Sequence, residues 1–171
     1  LNEGDWDAVR KDMNLRPVEG VSGLNTDEEI LAVLKKYGIS GQEVTLWGTG
    51  KPLREFLWSE EMADASVHVL LNVDFKDTYA EGAKEVRNCH INVGTGKELS
   101  IREVAEKIMK EIDFKGKLQW DSSKPDGTMR KLTDVSKLHA LGWHHKVEID
   151  EGIHRLYEWY LKGICINHQT T

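Results

Sequence analysis

Apolar positions along the chain recur at three- and four-residue spacing in successive stretches, and each stretch opens on a residue suited to cap a helix. Thr26 and Glu29 form a capping box ahead of a stripe of Ile30, Leu31, Leu34 and Tyr37 that stops at Gly38. Ser59, followed by the acids Glu60 and Glu61, opens a helix carrying Met62, Ser66, Val69, Leu70 and Val73. A second capping box, Ser100 with Glu103, starts a helix with Ile101, Val104, Ala105, Ile108, Met109 and Ile112 on one face. Asp134 caps a short helix ending at Gly142, and Asp150 caps the last, whose stripe is Ile153, Leu156, Tyr157, Tyr160 and Leu161 and whose stop is Gly163.

Between these helices three runs read as strands: Glu43 to Trp47 by alternation, Cys89 to Val93 as a buried run, and Lys117 to Trp120. Turns bearing glycine follow the first two, at 48–52 and 94–96. Residues 1–25 show no sustained period, 74–88 read as a polar loop and 164–171 as a frayed tail. A few short strands alternating with about five helices predict an α/β chain. So few strands do not make a self-sufficient doubly wound sheet, so the rest of the sheet is expected upstream. The expected organisation is a leading segment over 1–42 with one helix, a main lobe over 43–163, and the tail.

Composition narrows the function. The 171 residues carry 23 Lys and Arg against 29 Asp and Glu, a net charge of -6 that argues against a general nucleic-acid or anionic-membrane surface. Charge is uneven: Lys115 to Lys137 holds six cations and three acids. No apolar run nears the roughly 20 residues of a membrane span, and the expected location is cytoplasmic. Two isolated cysteines, Cys89 and Cys165, suit neither a disulfide framework nor a thiolate metal site. His139, His144 and His145 lack acidic or thiol ligands at zinc spacing.

Two segments could carry binding chemistry. In the loop Ser122 to Leu132, Pro125 and Gly127 constrain the chain while Lys124, Arg130 and Lys131 cluster, which suits a diphosphate or, equally, a solvated basic loop. In Trp47 to Leu57, an indole just before a glycine turn could take a base or sugar and Arg54 could grip a phosphate; a core tryptophan and a structural ion pair read as well. Asn92 to Gly96 looks superficially like a dinucleotide loop but has Leu99 where the third glycine belongs. No tyrosine stands four residues before a lysine, and no P-loop or G-x-S-x-G occurs.

Six collinear segments, W-G-T-G-K-P-L-R-E-F-L, E-M-A-D-A-S, H-I-N-V-G-T-G, S-I-R-E-V-A, S-K-P-D-G-T-x-R-K-L-x-D and L-G-W, closely resemble the carboxy-terminal part of the GDP-L-fucose synthases, extended short-chain dehydrogenase/reductases. The likeness runs from about Val44 to Lys162, and the K-P-D-G loop is its most specific piece. The resemblance implies a substrate-binding lobe without its Rossmann core. It implies the conversion of GDP-4-keto-6-deoxy-D-mannose to GDP-L-fucose by 3,5-epimerisation and 4-reduction with NADPH in the full-length enzyme, which is expected to be a homodimer. It places substrate contacts on Trp47, Arg54, Asp126, Arg130 and Lys131, and no catalytic, cofactor or metal residue in this chain. Met129 stands where the family commonly has proline, and Glu60 and Glu61 where it has aspartates. The alternatives are the lobe of another nucleotide-sugar epimerase or dehydratase, or a binding module without catalysis.

Overall fold

The computed structural model describes residues 1–166. Among the described residues, six α-helices and four short strands divide into two compact units, the first made of residues 1–51 and 113–127, the second of residues 52–112 and those from 128 onward.

In the first unit, α1 (Trp6–Leu15) is a helix where no period was expected. Asp5 caps it by accepting from the Ala8 N–H at 2.9 Å, and Trp6, Val9 and Met13 lie at helical spacing toward the core. Residues 1–42 therefore carry two helices, not one. Arg10 on α1 organises the glycine-bearing stretch beyond it, donating to the carbonyls of Gly23 (2.6 Å) and Asn25 (2.8 Å) and pairing with Asp27. The second helix, α2 (Asp27–Lys36), has the expected Thr26–Glu29 capping box. Its buried face is Ile30 and Val33, packed with Met13; Leu31 and Tyr37, assigned to the stripe, are outward at 41% and 53% exposure. β1 (Glu43–Trp47) and β4 (Lys117–Asp121) pair in parallel, Glu43 opposite Lys117 and Trp47 opposite Asp121.

In the second unit, β2 (Leu53–Arg54) and β3 (Leu99–Ser100) form a two-residue antiparallel ladder. α3 (Ser59–Asn72) buries Glu61 and Ala65, a face turned away from the expected stripe, since Met62 and Leu70 are 46% and 80% exposed. The reason is polar: Glu61 accepts from the backbone N–H groups of Lys146 and Val147, Asp64 accepts from the Trp143 indole at 2.8 Å, and His68 meets the Leu141 carbonyl at 3.0 Å. Ala65, Leu138 and Trp143 are the core, with Leu57, Val69, Ile91 and Val93 around it. α4 (Ile101–Glu111) begins at the expected Ser100–Glu103 box, α5 (Ser136–Ala140) follows Asp134, which accepts from the Ser136 N–H, and α6 (Ile149–Ile166) packs on α4. Asp150 is not the cap of α6. It lies in the first turn and binds Lys107 of α4 at 2.7 and 2.9 Å. Nor does Gly163 end that helix, since the roughly 1 kcal/mol a glycine costs there does not break it. The tail expected at 164–171 lies, over 167–171, outside the described residues.

Cys89–Val93 is not a strand: it runs extended with no ladder partner among the described residues. Side chains take the place of a neighbouring strand. Lys137 donates from Nζ to the carbonyls of Thr78 and His90, both at 3.0 Å, and of Asn88, while Asn92 donates to the Asp134 carbonyl at 2.9 Å.

Replacing Lys137 by methionine strips three backbone carbonyls of their donor. It should lower the unfolding free energy by about 2 kcal/mol, read by thermal denaturation, and speed amide exchange over 88–93. Exposed Val67, Leu70 and Leu71 on α3 should make the chain self-associate; light scattering should show mass rising with concentration, and Leu70→Ser should reduce the rise.

Candidate functional site

Parallel pairing of β1 and β4 brings their carboxyl ends, Trp47 and Asp121, side by side, and the turns that follow emerge from one end of the pair. That end is where open α/β sheets receive ligands. Gly48 takes φ +81, and a Cβ there would strike Asp126 Oδ1, so the glycine turn and the K-P-D-G loop touch directly. Asp126 fastens them: Oδ1 accepts from the Thr49 N–H at 2.8 Å and Oδ2 from its hydroxyl at 2.6 Å. The Thr49 hydroxyl, then its N–H, hold the Asp126 carboxyl below its ordinary value. Asp121 similarly holds Ser123, through N at 3.0 Å and Oγ at 2.5 Å. Trp47 is left 76% exposed, with the Lys124 ammonium 5.5 Å from its ring centroid.

In the second unit Glu55 is the organising group. Oε1 accepts from the N–H groups of Thr95 and Gly96, each at 2.6 Å, and Oε2 from the Thr133 N–H at 3.2 Å and the Thr133 hydroxyl. Gly94 admits the carboxylate, since a Cβ there would collide with both Glu55 and Thr133. Burial pushes the Glu55 carboxyl up, but the bonds from Thr133, Gly96 and Thr95 together outweigh it and leave the value lowered.

This framework carries the remaining candidates. Arg54 donates from Nη1 to the carbonyls of Leu53 and Thr128, both at 2.6 Å, and the Leu53 N–H binds the Met129 carbonyl at 2.8 Å. The loop is thus held at Met129 through a carbonyl that proline would also offer. Arg130 meets Glu98 through Nε and Nη2 at 3.0 and 2.8 Å. Arg130 and Lys131 line an open concavity of about 710 Å³ with Thr133, Ser136 and His139. Trp47 and Asp126 therefore belong to the first unit, and Arg54, Arg130 and Lys131 to the second. Glu55 and Glu98 were not singled out in the sequence; the available signal was an acid lodged between Arg54 and the apolar Phe56–Leu57 pair.

The G-T-G turn and the head of α4 do not offer a dinucleotide's diphosphate a cradle. The G-T-G turn's Thr95 and Gly96 N–H groups, which a diphosphate would need, already face the Glu55 carboxylate, and the Ser100 N–H at the head of α4 is taken by Glu103. Among the described residues no group of three or more metal-binding side chains occurs, and no helix is long and apolar enough to cross a membrane.

The NAD dependent epimerase/dehydratase family model matches residues 13–94. The chain is 48% identical over 124 residues to GDP-L-fucose synthase 1 of Arabidopsis thaliana, covering 72% of this chain and 35% of that protein. It is 44% identical over 121 residues to GDP-L-fucose synthase of Escherichia coli, covering 71% and 37%. It thus spans little more than a third of the curated relatives it matches. Among solved structures, a GDP-6-OMe-4-keto-L-xylo-heptose reductase from C. jejuni superposes with TM-score 0.84 at 40% identity, over 95% of this chain and 44% of that one. A GDP-L-fucose synthetase from Naegleria fowleri bound to NADP gives 0.58 at 25% identity, over 80% and 39%.

Because the Glu55 value is lowered on folding, its contribution is present above the unfolded-state pKa, near 4.5, and is lost as pH falls through the lower folded value. Glu55→Gln should therefore be less stable than the parent at pH 7, and the gap between their melting temperatures should close as pH drops below 4.5.

Proposed function

Since the chain belongs to the NAD dependent epimerase/dehydratase family and aligns there with the GDP-L-fucose synthases, we propose that it holds the guanosine diphosphate end of a GDP-sugar. What carries the reading is the pair of cations, Arg130 and Lys131, on a concavity of about 710 Å³, within the range of small-ligand sites. Arg54 and Arg130 grip the diphosphate, since planar guanidinium forks match its oxygens. Lys131 adds charge at the rim. In the first unit, taken by itself, the exposed Trp47 indole offers a face for a base or sugar. Asp126, whose two oxygens are engaged by Thr49, serves that indole by holding the turn that follows it.

At full length the activity is the conversion of GDP-4-keto-6-deoxy-D-mannose to GDP-L-fucose by 3,5-epimerisation and NADPH-dependent 4-reduction, in a cytoplasmic homodimer that has no use for nucleic acid. Hydride transfer needs donor and ketone within about 3–3.5 Å. The engaged N–H groups of its G-T-G turn support the reading that the chain by itself turns nothing over and serves as the substrate-binding part.

A second reading is a GDP-heptose 4-reductase, favoured by the C. jejuni reductase's likeness over 95% of this chain. It shares the GDP end and differs in the sugar. Supplying the full-length enzyme with each ketosugar and NADPH separates the two, the faster oxidation of NADPH naming the substrate.

Titrating the chain with GDP to millimolar concentration should shift the Trp47 indole and the amides of 122–132, with ADP shifting them less. Arg54→Gln should weaken binding about tenfold. A folded spectrum that GDP leaves unmoved overturns the proposal.

A further inference from the structure

Arg130 stands outward while its partner is sunk: the two side chains are 64% and 17% exposed. Glu98 approaches the guanidinium along one edge, Oε2 taking Nε and Oε1 taking Nη2. A guanidinium carries five N–H donors in a rigid fork, and this edge uses two. The opposite edge, formed by Nη1 and the second hydrogen of Nη2, keeps three donors and points away from Glu98.

Glu98 is itself well placed to fix that geometry. It directly precedes Leu99 of β3, which lies opposite Arg54 on β2. The same ladder is stitched to the loop that carries Arg130, by Arg54 to the Thr128 carbonyl and by the Leu53 N–H to the Met129 carbonyl. One short piece of sheet thus sets both arginines, Arg54 directly and Arg130 through Glu98. An isolated, exposed ion pair contributes little to stability and need not serve ligand binding. Here one partner is largely covered, the contact is two-pronged, and the unused edge is the one with spare donors.

We infer that Glu98 is a positioning residue for the diphosphate, locking the Arg130 side chain by its Nε/Nη2 edge so that its Nη1/Nη2 edge is ready to receive two phosphate oxygens. The inference rests on the GDP-sugar reading above. It runs against the simple electrostatic expectation, in which an acid beside an anion site repels the ligand and its neutralisation tightens binding.

The test is the GDP dissociation constant of the full chain, with pyrophosphate as a second probe, for the parent, Glu98→Gln, Arg130→Gln and the double variant. Each single change should weaken GDP and pyrophosphate alike by about tenfold. The double variant should be no weaker than Arg130→Gln, because the carboxylate acts only through the arginine. Glu98→Gln should melt within a degree or so of the parent, which separates positioning from general stability. If Glu98→Gln binds GDP as well as or better than the parent while Arg130→Gln weakens it, the positioning role is wrong and the GDP reading stands. Additive losses in the double variant, or an Arg130→Gln without effect, overturn the positioning role as well. Failure of the parent itself to bind at millimolar GDP removes the reading and the inference together.

Discussion

A single carboxylate, Glu55, holds together the three segments on which the second unit's cationic residues sit. It ties the stretch after β2 to the G-T-G turn and to Thr133. Both of its oxygens face N–H or hydroxyl donors, so a charge that would be costly to bury becomes a fixed point. The placement of Arg54 one residue before it, and of Arg130 and Lys131 just before Thr133, follows from that anchor. The same bonds explain why the glycine turn is unfit for a foreign anion, since the protein supplies its own.

Much of the local structure was legible in the sequence because the code for it is short-range. Both capping boxes, at Thr26 and Ser100, formed as expected, and so did β1 and β4. The errors share a cause. On α3 the apolar count favoured Met62 and Leu70, yet the helix turns Glu61, Asp64 and His68 toward the backbone and the indole they bind. Partners of that kind lie 73 to 86 residues away in the chain, where no periodicity analysis can see them. The Cys89–Val93 stretch has a strand's composition and no strand beside it, so its composition alone misled. With α1 the signal was present in Asp5, Trp6, Val9 and Met13, but glycines around it obscured the period.

For the candidate site, the residue types were readable and their employment was not. Lys and Arg clustering over 115–137 correctly marked a basic stretch, but nothing in it indicated that Asp126 would be held by Thr49 or Arg130 by Glu98. Such second partners decide what a charged side chain has left to offer a ligand. They depend on which loops the fold brings together, and in this chain the acids do that work at least as much as the apolar core.

The parallel ladder of β1 with β4 joins residues 43–47 to residues 117–121, so the first unit is written in two separate portions of the sequence. Emerging from a ribosome, β1 must wait some seventy residues for its only ladder partner among the described residues, and α1 and α2 must hold their small core meanwhile. The second unit waits longer still, since Leu138 and Trp143 of its core follow β4 in the chain, so a pause or cleavage between residues 48 and 116 separates both units from the residues that complete them.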